Sequence, residues 1–145
     1  MSYSTNYKNA TFVYIAYSKQ SNLFKVGITK NTSRRIDSIN QAKLGMVSDW
    51  IYIGFVKLGA GVSGQTETIL LKSLRQFKYC ATYGNKKTTH SNEVLRCTLS
   101  TIMTDCCRYM GRDDYILLRD AVNFRLDFIL KDYNLSYSLP SWFSR

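Results

Sequence analysis

Phe12-Val13-Tyr14-Ile15-Ala16-Tyr17, the polar linker Ser18-Lys19-Gln20-Ser21-Asn22, and Leu23-Phe24-Lys25-Val26-Gly27-Ile28-Thr29 form the stretch on which the fold turns. Aromatic and β-branched residues alternate on both sides of the linker, which is the pattern of two short strands joined as a hairpin. Working outward, Asn31-Thr32-Ser33 offers N-cap side chains ahead of Ile36, Ile39 and Leu44, predicting a helix of about three turns. Trp50 to Leu58 reads as a third strand, closed by the turn Gly59-Ala60-Gly61-Val62-Ser63-Gly64. Glu67 to Phe77 then places Leu70, Leu71, Leu74 and Phe77 at helical spacing. The series is ββαβα.

Beyond it, Tyr83 to Thr89 reads as a polar, basic loop. Val94, Leu95, Thr98, Leu99, Ile102, Met103, Cys106 and Met110 keep one stripe over four turns, predicting a long helix that Gly111 ends. Asp113 or Asp114 can cap a last helix whose Leu117, Leu118, Val122, Phe124, Phe128 and Ile129 nearly exceed one face. The division expected is a tail at 1–10, a core at 11–92, a helical pair packed on it at 93–133 and a tail at 134–145. The surplus apolar surface of the pair is expected either to cover its own sheet or to join two copies as a homodimer through residues 94–130.

With 145 residues, 45% of them hydrophobic and 21% charged, the chain suits one compact domain with a real core. One proline and eight glycines exclude an extensively disordered or collagen-like chain. The longest apolar runs fall far short of the ~20 residues that span a bilayer. Met1 to Asn9 is polar and lacks the apolar run of a signal peptide, so a cytoplasmic protein without a membrane partner is expected. Cys80, Cys97, Cys106 and Cys107 match neither zinc-knuckle nor redox spacing and are expected as reduced, mostly core thiols.

Twenty basic side chains face ten acidic ones, a net charge of +10. Residues 1–100 hold 14 of the basic and 4 of the acidic side chains, and residues 101–145 hold 6 of each. The excess therefore belongs wholly to the first part, as expected of a polyanion binder. The alternative is a basic surface kept for solubility.

Phe12-Val13-Tyr14-Ile15, Phe24-Lys25-Val26-Gly27-Ile28-Thr29 and Arg35-Ile36-Asp37-Ser38-Ile39-Asn40, in this order and spacing, resemble the GIY-YIG nuclease domain. The likeness is to its compact phage- and virus-associated branch, in which the second motif commonly reads K-I-G-x-T and the helix R-L-x-x-L-N. It spans about residues 11–80. It implies an α+β fold with a three-stranded antiparallel sheet flanked by helices, here followed by a helical C-terminal extension. It further implies metal-dependent hydrolysis of DNA phosphodiesters, in a phage setting and in the host cytoplasm.

By the same resemblance Tyr14 matches a general base, Arg35 the holder of the scissile phosphate, and Glu67 the single ligand of Mg²⁺ or Mn²⁺. The chemistry is consistent with those residue types, since a water must lose a proton and charge on phosphorus and on the leaving oxygen must be neutralised. An ordinary tyrosine is a weak base without a nearby cation, and Lys25 in the adjacent strand can supply one. Two positions depart from the family. Phe12 stands where the first glycine would be, and Lys25 stands where the second tyrosine would be, leaving Lys25 to assist Tyr14, bind phosphate or orient water. Lys30, Arg34, Lys86, Lys87 and His90 are the candidate DNA contacts.

Taken singly, each residue has a plainer reading. Tyr14 is one of 11 tyrosines and suits a sheet core, Arg35 suits a solvated helix face, and a strand lysine ordinarily faces water. Glu67 is more distinctive, because the chain holds only one other glutamate, Glu93. Two other functions stay open: a catalytically silent nucleic-acid binder, which has no use for Glu67, and an interaction protein acting on a host factor.

Overall fold

The computed structural model describes residues 11–59, 62–84, 86–91 and 94–141. The expected hairpin is there: β1 (Phe12–Ser18) and β2 (Leu23–Thr29) pair antiparallel, with Tyr14 opposite Gly27 and Ala16 opposite Lys25. β3 (Trp50–Lys57) pairs antiparallel with the other edge of β1. The register slips between Ile15 and Ala16, where Ile15 faces Gly54 and Ala16 faces Tyr52, so that Ile53 is an extra residue. This bulge puts Tyr52 and Phe55 on the same face of the sheet, their ring centres 5.1 Å apart, where simple alternation would have separated them.

Helix α1 (Thr32–Gln41) follows the hairpin and α2 (Val62–Ser73) follows β3. Two departures from the sequence reading appear here. Glu67 does not open its helix, which begins at Val62: the amides of Val62 and Ser63 both donate to the Gly59 carbonyl, so Val62-Ser63-Gly64 is the first helical turn and not a loop. At the other end the helix closes at Ser73, with a separate tight turn at Arg75–Phe77.

The sheet has four strands, with β3 at one edge, then β1, then β2, and a fourth at the other edge. The fourth is β6 (Val94–Leu95), which pairs with Lys25 and Phe24 and replaces the start of the expected long helix. Val94 and Leu95 are both fully buried but in opposite layers, Val94 beside Tyr14 and Leu95 beside Leu99, which only an extended backbone allows. Helix α3 (Leu99–Tyr109) starts afresh behind Thr98, whose hydroxyl accepts from the Thr101 amide at 3.1 Å. The polar segment read as a loop is a two-stranded ribbon, β4 (Ala81–Tyr83) with β5 (Lys86–Ser91), turning at Gly84. Its polar composition concealed a strand pattern carried by Thr88 and Thr89.

Helix α4 (Arg112–Phe124) has Gly111 as its N-cap, while Asp113 and Asp114 lie inside its first turn, where their charge suits the helix dipole. A π-turn at Arg125–Ile129 continues it.

The sheet separates two apolar layers. Helix α1 covers one, made by Tyr14, Ala16, Leu23, Ile39, Leu44, Trp50 and Tyr52. Helices α2, α3 and α4 cover the larger one, with Val13, Ile15, Ile53, Leu70, Ile102, Met103, Leu118 and Val122. Helix α4 lies directly on β3, since a Cβ at Gly54 would stand 2.6 Å from Val122 Cγ2. Its Tyr115, Leu118 and Val122 face inward, whereas Leu117, Phe124, Phe128 and Ile129 remain exposed. Among the described residues no helix is long and apolar enough to cross a membrane. All four cysteines are thiols, but only Cys106 is fully buried and Cys80 is exposed, so the expectation of mostly core thiols is corrected for Cys80.

Candidate active site

Tyr14 stands in the middle of the central strand, its side chain wholly buried under α1. Its ring crosses to the neighbouring strand and lies over Gly27, where a Cβ would be 2.5 Å from the phenol oxygen and 2.6 Å from Cζ. Glycine opposite tyrosine is therefore a matter of space. Lys25, two residues earlier on β2, shares that face and sits diagonally to Tyr14, with Nζ 5.7 Å from the ring centre. It is fully buried, which corrects the plainer reading of a strand lysine facing solvent. Phe12, at the position of the family's first glycine, is an ordinary strand residue packed edge-on against Phe55.

Arg35 reaches the same face from α1. The Asn31 side chain caps this helix, accepting from the Arg34 amide at 3.0 Å, and so fixes where the first turn begins. From there Arg35 Nε donates to the Tyr14 hydroxyl at 3.3 Å. The helix is tied to β3 at both ends. At the first, the Tyr52 hydroxyl donates to the Thr32 carbonyl at 2.7 Å. At the last, the Asn40 amide group behaves as a short piece of strand, accepting from the Trp50 amide at 2.8 Å and donating to the Trp50 carbonyl at 3.0 Å. Lys30 and Arg34 are exposed beside the first turn, which holds no acidic residue. A basic rim at a helix N-terminus favours an anion there.

Tyr52 also packs edge-on against Tyr14, with ring centres 5.3 Å apart. Burial, then the neighbouring Tyr14, push its hydroxyl pKa upward, and Arg35 only partly offsets them. Tyr52 thus stays protonated and remains a donor.

Glu67 lies in the second turn of α2, a helix packed against β2 and β1. It is 4% exposed. Among the described residues no three His, Cys, Asp or Glu side chains gather as a metal cage. A single carboxylate does not suit zinc or calcium, but it suits Mg²⁺, which keeps several waters and is completed by substrate phosphate. Lys86, Lys87 and His90 have their backbones in β5, and their side chains lie outside the described residues.

The structure thus brings Tyr14, Lys25 and Arg35 together on one sheet face, whereas Glu67 belongs to α2, whose Leu70 packs into the opposite apolar layer, so the fourth residue of the expected set is not gathered with the other three on that face. Tyr52 was not singled out by the sequence reading. It is an unremarkable aromatic in a strand until the bulge turns it toward Tyr14, and its only advance signal is a place two residues after Trp50. Asn40 was legible as the last residue of a motif, without its task.

The fold and site together define a small antiparallel α+β domain whose sheet presents a buried tyrosine to an arginine from the following helix. The model of the T5orf172 domain family matches residues 11–109, from the start of β1 to the end of α3, and the chain belongs to that family. No curated protein and no solved structure gives a significant match.

Proposed function

We propose that the protein is a metal-dependent endonuclease of GIY-YIG type that hydrolyses DNA phosphodiester bonds. The observation that carries the reading is the hydrogen bond from Arg35 Nε to the Tyr14 hydroxyl, because it sets a phosphate-gripping group against a proton acceptor. Membership of T5orf172, a phage-associated family of nuclease type, and the confinement of the +10 charge to the first hundred residues support it.

In this reading Arg35 holds the scissile phosphate and, by donating from Nε to the Tyr14 hydroxyl, fixes where that oxygen points. Tyr14 takes a proton from the attacking water as the new P–O bond forms and the bond to the leaving oxygen breaks. Lys25 adds positive charge on the same face, where negative charge accumulates. Glu67 would hold Mg²⁺ or Mn²⁺, which when bound neutralises charge on the phosphate and the departing oxygen. Lys30 and Arg34 hold the neighbouring backbone phosphates and position the duplex.

A second reading is a nucleic-acid binder that keeps the fold without the chemistry. The burial of Glu67 to 4% exposure, together with a lysine at the second tyrosine position, favours it. Incubation of the purified protein with supercoiled plasmid separates the two. An endonuclease yields nicked or linear DNA with Mg²⁺ or Mn²⁺ and none with EDTA, whereas a silent binder retards the plasmid and leaves it supercoiled.

A further inference from the structure

We propose that Tyr52 is a positioning residue for the Tyr14–Arg35 pair, and that the C-terminal helix outside the family match acts on the site through it. This inference rests on the endonuclease reading for its kinetic consequence, though not for its geometry.

Tyr52 meets three parts of the molecule at once. Its hydroxyl holds the Thr32 carbonyl at 2.7 Å, at the first residue of the helix that carries Arg35. Its ring bears edge-on against Tyr14 at 5.3 Å. Its own carbonyl accepts from Arg125 Nε at 2.8 Å, a contact spanning 73 residues of sequence. The bulge at Ile53 is what makes the ring contact available.

Arg125 belongs to the π-turn after α4, and residues 110–141 lie beyond the segment that the family model matches. π-Turns widen a helix locally and redirect a side chain at some cost, and they are frequent at functional sites. Here the redirected side chain is half-buried and caps the edge strand of the sheet at Tyr52. One turn earlier, Val122 fills the space above Gly54 on that strand. The extension therefore fixes β3 at the point from which Tyr52 reaches Tyr14 and the first residue of the helix that carries Arg35. A displacement of Arg35 by about 1 Å is enough to cost a large factor in rate without altering how much DNA surface is gripped.

Two variants test the proposal. Tyr52→Phe keeps the ring and removes the hydroxyl, and Arg125→Met keeps much of the length and removes the donor. With a labelled DNA duplex, each is expected to lower kcat about 10-fold and to change KM less than about twofold. In an Arg35→Lys background, Tyr52→Phe is expected to cost less than about twofold more, because its effect passes through Arg35. NMR of the arginine side chains supplies a readout independent of turnover: the Arg35 Nε–H should exchange slowly in the parent protein and rapidly in Tyr52→Phe. Equal losses in both backgrounds, a change confined to KM, or an unchanged Arg35 signal would each overturn the proposal. A parent protein inert on every DNA sinks the endonuclease reading instead, and the Arg35 signal then decides the positioning role alone. If Tyr52→Phe does not fold, Arg125→Met carries the same measurements.

Discussion

The phenol oxygen of Tyr14 lies 2.5 Å from the point where a Cβ at Gly27 would stand, so these two residues of adjacent strands form one structural unit. Gly27→Ala is expected to displace the ring, break the Arg35 hydrogen bond and destabilise the fold by ~1–3 kcal/mol, the usual cost of overpacking. Thermal unfolding of the variant should show a clearly lowered Tm, together with a loss of cleavage. An unchanged Tm would mean that the ring moves aside freely.

Removal of the Tyr14 oxygen alone leaves the packing in place. Tyr14→Phe should fold with nearly the parent Tm and bind DNA as tightly, while cleavage falls by the ~10²–10⁴ of a lost general base. Cleavage near the parent rate would make Tyr14 a core residue only.

The hairpin and the order of elements up to α2 were legible because their period and linkers are local properties. The motif match also selected Arg35, half-buried in the structure, and not its exposed neighbour Arg34, while the pairing of Tyr14 with Gly27 came only with the structure. What stayed hidden depends on distant partners. Lys25 is buried between Ala16 of β1 and Val94 of β6, and Val94-Leu95 becomes a strand because β2 offers an open edge to it. The task of Tyr52 follows from a bulge whose register no single strand encodes.

Asn40 supplies the firmest tie between α1 and β3. Asn40→Ala leaves the Trp50 amide and carbonyl without these partners, and should cost ~1–3 kcal/mol of stability. Denaturant unfolding measures it, with a lower midpoint at an unchanged slope as the expected result.

The thiols differ in reactivity for a physical reason. Burial, and then the nearby Asp105 charge, push the Cys106 thiol up to about 12 and the Cys97 thiol likewise to about 12. At pH 8 both are almost wholly protonated, and the thiolate is the reactive form. With a thiol reagent under native conditions, exposed Cys80 should react first and Cys106 only after unfolding. Early modification of Cys106 would contradict the burial of α3 in the larger apolar layer, between α2 and α4.

DNA cleavage by the Tyr14–Arg35 pair with an ion held by Glu67 is tested most directly by one paired measurement. Cleavage and binding of the same duplex are followed for the parent protein and for Glu67→Gln, with Mg²⁺ or Mn²⁺. The parent should cut and Glu67→Gln should fail to cut, while in EDTA, where no ion is held, Glu67→Gln should bind at least as tightly, since loss of a negative charge alone cannot weaken attraction to phosphates. Cutting by Glu67→Gln at the parent rate, or a parent protein that binds without ever cutting, would contradict the account.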